Sequence, residues 1–243
     1  MNAAPDTMRP VAVFDFDRTL IDTDVAYHFL DAGIKRSKVR RIAFGMLMPL
    51  LLPLLLMRRC RVAAMSVIMW LATFPLHGKS AQDVFTRFSP GIGRPPANAR
   101  FYTDGLTALA AHRRMGHRLV VISGSPQELV AHLVQTALGN HIDVIGSRVE
   151  PFLGGLVYRR YCMRSGKIAR ARERGMPVEN WGYGYSDSAN DIPLLARCRH
   201  RFLVNPTPRT LRRVKAALGG DVTILNWTAT DNGITCNSHN RKA

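Results

Sequence analysis

Acidic residues are scarce in this sequence. Against 34 lysines and arginines stand 17 aspartates and glutamates, a formal net charge of +17. Such a chain attracts polyanions: nucleic acid, anionic lipid or phosphorylated small molecules. Charge alone does not choose among them. Cysteine is sparse too. Cys60, Cys162, Cys198 and Cys236 lie far apart, so no two form a zinc-knuckle pair. Scattered thiols read as reduced, in keeping with a cytosol-facing protein. No apolar h-region precedes the first strand pattern near Val11, so a cleaved signal peptide is not expected. Internal repeats are lacking as well. The 243 residues suffice for one core with an insertion, or for two domains.

The chain is rich in short apolar runs that end in polar loops. Val11–Phe16 reads as a buried strand that runs into Asp15, Asp17 and Thr19. Leu119–Ile122 is a second, followed by Ser123, Gly124 and Ser125. There Ser125 reads as an N-cap, Pro126 as the first helical residue and Glu128 as the capping-box partner of a helix reaching Leu138. Ile142–Ile145 is a third strand. Ser147–Phe152 and Leu156–Tyr161 flank Gly154-Gly155 as a hairpin. Lys167–Arg174 reads as a helix, Trp181–Tyr185 and Phe202–Val204 as strands, and Pro208–Leu218 as a basic helix. Strand and helix alternate, which predicts an α/β fold with a mainly parallel sheet covered on both faces. The tail from Thr228 is polar and expected to fray.

About a hundred residues separate the first two strands, far more than one crossover helix needs, so they hold an insertion. Ala43–Met57 is fifteen residues without a polar side chain, broken by Pro49 and Pro53, and Val62–Phe74 is nearly as apolar. Lys35, Arg36, Lys38, Arg40 and Arg41 precede the first run; Arg58, Arg59 and Arg61 separate the two. Fifteen helical residues span about 22 Å, short of the roughly 30 Å hydrocarbon core of a bilayer. A helical hairpin or interfacial helix among anionic headgroups fits better than a simple span. A buried apolar core is the competing reading.

The chemistry rests on four segments. Asp15 and Asp17 sit at the carboxyl end of a strand, where open α/β sheets bind ligands. Asp15 reads as a nucleophile toward phosphorus, forming an aspartyl-phosphate. Asp17 reads as the acid that protonates the leaving oxygen and then the base that activates water. Ser123 and the Gly124 N–H suit phosphoryl oxygens near a helix N-terminus. Lys167 follows Gly166 at a predicted helix start and would offset charge on nucleophile and phosphate, with Arg164 and Arg170 as nearby competitors. Asp187 and Asp191 follow a strand-like run. With Asp15 and the Asp17 carbonyl, Asp187 would make an oxygen site suited to Mg²⁺. Asp191 would ligate through water or orient Lys167.

Asp-Phe-Asp-Arg-Thr-Leu, Ile-Ser-Gly-Ser, Lys167 and Tyr-Ser-Asp-Ser-Ala-Asn-Asp stand in the order and rough spacing of the four motifs of the haloacid dehalogenase-like phosphatases, which this sequence resembles over most of residues 11–205. The resemblance implies a Rossmann-like core, Mg²⁺-dependent aspartyl-phosphate chemistry and a helical cap inserted after the first strand. Residues 1–24 and 99–227 would be the core, 25–98 the cap and 228–243 the tail. The chain looks like the phosphoserine-phosphatase branch, but Ser-Gly-Ser-Pro replaces Ser-Gly-Gly-Phe and the cap is apolar and basic. Residues 46–53 and 65–74, with Tyr161-Cys162-Met163, are more similar to bacterial C-type phosphatidylglycerophosphate phosphatases.

The expected enzyme removes the terminal phosphate of phosphatidylglycerophosphate at the cytoplasmic face of the bacterial inner membrane. The alternative is a cytoplasmic phosphatase of a soluble phosphomonoester such as phosphoserine. A basic nucleic-acid-binding protein is a third reading, opposed by the filled catalytic positions and the lack of a nucleic-acid motif. No nucleic-acid partner is expected, and the sequence does not fix an oligomeric state. The other histidines are read as structural or surface groups, and Tyr158, Tyr161, Trp181, Tyr183 and Tyr185 as packing.

Overall fold

The computed structural model describes residues 9–57, 59–88, 99–179 and 181–229. Arg58, Cys236, the end of the insertion at 89–98 and the tail from 230 lie outside the described residues. Seven strands form one sheet: β1 (Val11–Phe14), β2 (Arg118–Pro126), β3 (Asp143–Phe152), β4 (Gly155–Arg160), β5 (Trp181–Ser186), β6 (Cys198–Val204) and β7 (Thr223–Leu225). Their order is β4-β3-β2-β1-β5-β6-β7. Every neighbouring pair is parallel except β3 with β4.

The central strand β1 is buried throughout. Its side chains alternate between two cores: Ala12 and Phe14 join one cluster, Val11 and Val13 the other. A strand buried on both faces reads as a continuous apolar run, which is why the sequence signal there was strong. Parallel strands send their carboxyl ends to one edge. Asp15 and Asp17 follow β1, Ser123 lies in β2, and Asp187 follows β5.

Two local readings need correction. The third strand and the first arm of the hairpin are one strand, β3. Gly146 between them is not a turn; a Cβ there would come within 2.5 Å of the Gln127 backbone, so glycine admits close packing. Ser125 is not an N-cap. Strand β2 continues to Pro126, and α6 (Gln127–Leu138) begins without a side-chain cap. Glu128 does not close a capping box, because its Oε2 is buried without a partner among the described residues.

Between β1 and β2 lie α1 (Val25–Lys35), α2 (Lys38–Leu56), α3 (Arg61–Thr73) and α4 (Ala81–Phe88), then α5 (Thr103–Arg114). Helix α3 lies against the β3–β4 hairpin. The Trp70 Nε1–H donates to the carbonyls of Phe152 and Leu153 at 3.1 and 3.2 Å. The Leu156 N–H donates to Thr73 Oγ1 at 2.8 Å, and the Tyr158 N–H to Ser66 Oγ at 3.2 Å. Gly155 permits this approach, since a Cβ would meet the Trp70 ring at 2.5 Å. Helices α1 and α3 meet equally closely at Gly33, where a Cβ would lie 2.6 Å from the Ala72 carbonyl.

Helix α2 explains why the first apolar run showed no clear period. Phe44, Leu47, Leu51, Leu54 and Leu55 face inward at helical spacing and join or pack against one core cluster, and Met48 lines the adjoining cavity. Val39, Ile42, Met46, Leu50 and Leu56 face outward, each at least 64% exposed. The helix is apolar on both faces. It is long and apolar enough to cross a membrane by length and composition, yet only 6% of its apolar window is buried within the protein.

Candidate active site

The carboxyl edge of the sheet gathers every residue singled out in the four motif segments. Lys167, on α7 (Ser165–Glu173), donates 2.7 Å hydrogen bonds to Asp15 Oδ1 and to Asp191 Oδ2. All three side chains are buried. Asp191 sits in a 3-10 turn, Ala189–Asp191, after β5. It also accepts from Ser186 Oγ at 2.7 Å, so its second contact is with the strand that carries the neighbouring motif. Asp191 therefore orients Lys167, one of the two roles the sequence left open. Arg170 is not a competitor: its guanidinium bonds the Gly146 carbonyl, Glu173 and Gln127 and neither Asp15 nor Asp191. Arg164 does line the site.

Asp17 is held differently. The Val25 N–H donates to Oδ1 at 2.8 Å, while Ser123 Oγ and Ser125 Oγ donate to Oδ2 at 2.7 and 2.8 Å. Three donors fix the carboxylate and leave one acceptor position on Oδ1 for proton transfer, while the backbone carbonyl is the Asp17 group suited to a metal. Ser123 is buried and spends its hydroxyl proton on Asp17, whereas Gly124 and Ser125 line the cavity. The role of Ser125 was missed. Its signal was strand alternation, since residues two apart on an extended strand face the same way. Ser147 was missed too; its Oγ donates to the Gly124 carbonyl at 2.6 Å and accepts from the Cys162 N–H, fixing the glycine loop.

Thr19 Oγ1 lies 3.4 Å from both Asp15 Oδ2 and Asp187 Oδ1, and accepts from the Asp187 N–H at 3.0 Å. One hydroxyl proton cannot serve two carboxylates, and both contacts are long. Asp15, Asp187 and Asp191 thus share one ammonium. Burial pushes Asp15 well above the ordinary carboxylate value, Lys167 pulls it back, and Asp191 and Asp187 add to the rise. Burial, with repulsion from Asp191, pushes Asp187 up to about 6. Burial alone would lower Lys167, but Asp15 and Asp191 hold it above its ordinary value. Asp17 is pushed up to about 6 by burial, then by Asp24, against the pull of its three donors.

This surplus of buried negative charge is what a cation would relieve. Among the described residues no three His, Cys, Asp or Glu side chains cluster as ligands. The donors that fit are the Asp15 and Asp187 carboxylates with the Asp17 carbonyl. They are all oxygen, and they leave positions for water and phosphate, as a hard divalent ion prefers.

Among the aromatic residues read as packing, Tyr185 is structural. Tyr185 stacks between Phe14 and Phe202, and its hydroxyl bonds buried His112 at 2.9 Å. Tyr158 and Tyr161 depart from pure packing, since both line a cavity of about 790 Å³ that opens from the reaction centre.

The haloacid dehalogenase-like hydrolase family model matches residues 12–196. A probable phosphatase of Mycobacterium tuberculosis is 32% identical over 127 residues, which are 50% of this chain and 43% of that protein. The match thus spans less than half the length of that relative. A Bordetella pertussis protein of unknown function has a similar structure, with a TM-score of 0.62 and 22% identity over 89% of this chain and 99% of the other. An apo phosphoserine phosphatase has a TM-score of 0.53 and 14% identity, covering 89% and 93%. At these identities the structural likeness is one of fold.

Proposed function

The chain belongs to the haloacid dehalogenase-like hydrolase family, and from that premise we propose that it is a phosphomonoester hydrolase working through an aspartyl-phosphate on Asp15. The observation that carries this reading is the chain of contacts Asp191–Lys167–Asp15, with Asp17 clamped beside it and a cavity in front. Lys167 holds Asp15 in one rotamer and keeps a positive charge where phosphoryl oxygens would sit. The Asp15 carboxylate attacks phosphorus and expels the substrate's alkoxide, which takes its proton from Asp17. In the second half-reaction Asp17 removes a proton from water as that water displaces Asp15. A group poised near 6 suits both directions at neutral pH. Mg²⁺, held by Asp15, Asp187 and the Asp17 carbonyl, would supply charge neutralisation when bound.

The finer reading is a lipid substrate, phosphatidylglycerophosphate, at the cytoplasmic face of the bacterial inner membrane. It is supported by the outward apolar face of α2 and by the basic residues at its ends, Arg36, Lys38, Arg41 and Arg59. Helix α2 would lie in the interface, not across the bilayer, because its inward face packs on the core and walls the cavity. Other basic residues of the flanks are committed within the protein: Arg61 Nε donates to the Leu55 carbonyl at 2.8 Å, Lys35 pairs with Asp31, and Arg40 is clamped on carbonyls. Arg40 Nη1 donates to the Gly33 and Ala72 carbonyls at 2.9 Å, and Nη2 bonds the Phe74 carbonyl. It ties α1 to α3 near their carbonyl-rich ends and does not face a headgroup.

The deciding assay offers phosphatidylglycerophosphate in mixed micelles with Mg²⁺, beside phosphoserine and a small phosphomonoester. Preference for the lipid, lost in Asp15→Asn, is expected. Equal or better turnover of phosphoserine would move the substrate to soluble metabolites and leave the chemistry in place.

A further inference from the structure

The cavity is larger than phosphate chemistry requires, and its two walls differ. At about 790 Å³ it falls in the range that encloses a whole organic ligand. The sheet edge supplies the charged wall with Asp15, Asp17, Lys167 and Asp187. The opposite side comes from the helical insertion, where Ile34 of α1, Phe44, Met48 and Leu55 of α2, and Met65 and Ile68 of α3 form an apolar stretch beside the exposed Tyr27 and Arg41 and the Asp31–Lys35 ion pair. None of the six apolar side chains can donate or accept a strong hydrogen bond.

We infer that this wall binds an apolar chain carried by the substrate, so that the site draws part of that chain in along with the phosphorylated head. The inference rests on the phosphatase reading above for the position of the phosphate. It adds that recognition extends beyond the headgroup.

Three observations carry it. The apolar wall is continuous with the reaction centre in one cavity, so a single molecule reaches both. Phe44, Met48, Leu55 and Met65 are only partly buried, so they keep apolar surface that no protein side chain covers. A polar ligand would leave its own groups unpaired against such a wall, whereas an apolar one loses nothing by leaving water. The occupant of that apolar stretch is therefore the substrate's hydrocarbon part. Tyr158 lines the same cavity from β4, with its hydroxyl the one polar group that strand adds.

The test needs no membrane. Straight-chain alkyl phosphonates, from methyl to octyl, are titrated into the full-length protein with Mg²⁺ by calorimetry, below their micelle concentrations. Phosphonates are not hydrolysed, so affinity is read whether or not the protein turns over. Each added methylene should tighten binding about three- to fourfold over the first several carbons. Filling the wall with Met65→Trp should flatten the series. The unmodified protein decides the matter even if that variant misfolds. An affinity independent of chain length would overturn the inference. Hydrolysis of methyl phosphate in parallel tests the phosphatase reading separately. Turnover with a flat series leaves that reading standing and removes this one. A steep series without turnover of any phosphomonoester does the reverse.

Discussion

The sheet edge and the helices α1–α3 line one cavity from opposite sides, and they are built on opposite principles. At the sheet edge short hydrogen bonds of 2.6–2.8 Å fix the polar side chains, and Asp15 and Asp191 are buried on one lysine with Asp17 and Asp187 half-buried beside them. Such a centre is rigid, and it is costly without a cation because like charges are held together in a low dielectric. The helical wall has few polar bonds and leaves apolar side chains uncovered on both faces of α2. One region stores electrostatic free energy for chemistry. The other stores unsatisfied apolar surface for a ligand or an interface. Different substitutions should therefore fail in different ways on the two sides.

The largest effect should come from Asp15→Asn. Removing the nucleophile should lower kcat by about 10⁴-fold or more and abolish hydroxylamine-labile phosphoenzyme. The same change removes one of the crowded carboxylates. The melting temperature without metal should hold or rise, a sign that function and stability oppose each other here. Near-normal turnover would show that another group attacks phosphorus.

Lys167→Met should reverse the sign of the stability change. It strips the only close cation from Asp15 and Asp191 and should cost about 3–5 kcal/mol in urea unfolding at pH 7. Folded Asp15 already sits well above its ordinary value, and so binds protons more readily than the unfolded carboxylate. Lowering the pH neutralises the orphaned pair, so the loss should shrink in acid. A loss that does not change with pH would mean that Lys167 acts by packing and not by charge.

On the helical side the corresponding clamp is Arg40. Arg40→Gln should cost on the order of 2 kcal/mol through its charged hydrogen bonds to carbonyls, lowering Tm by about 4–8 °C. Hydrolysis of a small chromogenic phosphate in the cold should persist, because no Arg40 contact reaches the sheet edge. If turnover falls with Tm, the two walls are coupled more tightly than their contacts suggest.

The two regions were also unequally legible. The catalytic groups lie in short segments whose local pattern, an apolar strand and then a carboxylate or serine, maps directly onto strand ends in a parallel sheet. Asp15, Asp17, Ser123 and Asp187 were readable for that reason, whereas Lys167, at a helix start, was singled out as much by the family resemblance as by its position. Ser125 was not readable, because Ser-Pro-x-Glu mimics a helix start and only tertiary pairing of β2 with β3 keeps the strand going to Pro126. The insertion was readable as apolar and helical but not as two-faced. Periodicity reports contrast between faces, and α2 has almost none. Arg40 looked like its neighbours because charge says nothing about which carbonyls a guanidinium will meet.

That last ambiguity gives the finest test. Arg41 and Arg59 are exposed at either end of α2. If this face meets an anionic leaflet, each contributes about 1 kcal/mol near the surface. The double change Arg41→Gln with Arg59→Gln should then weaken binding to phosphatidylglycerol vesicles roughly tenfold to thirtyfold at low salt, and less as salt screens the charges. The melting temperature should not move, in contrast to Arg40→Gln. Co-sedimentation with vesicles, using protein without substrate, separates docking from any contribution of Arg41 to the cavity it also lines. Unchanged sedimentation would remove the basic ends of α2 from the docking surface. The apolar outer face would then need a protein partner, and the wall lining the cavity would keep its role without any membrane.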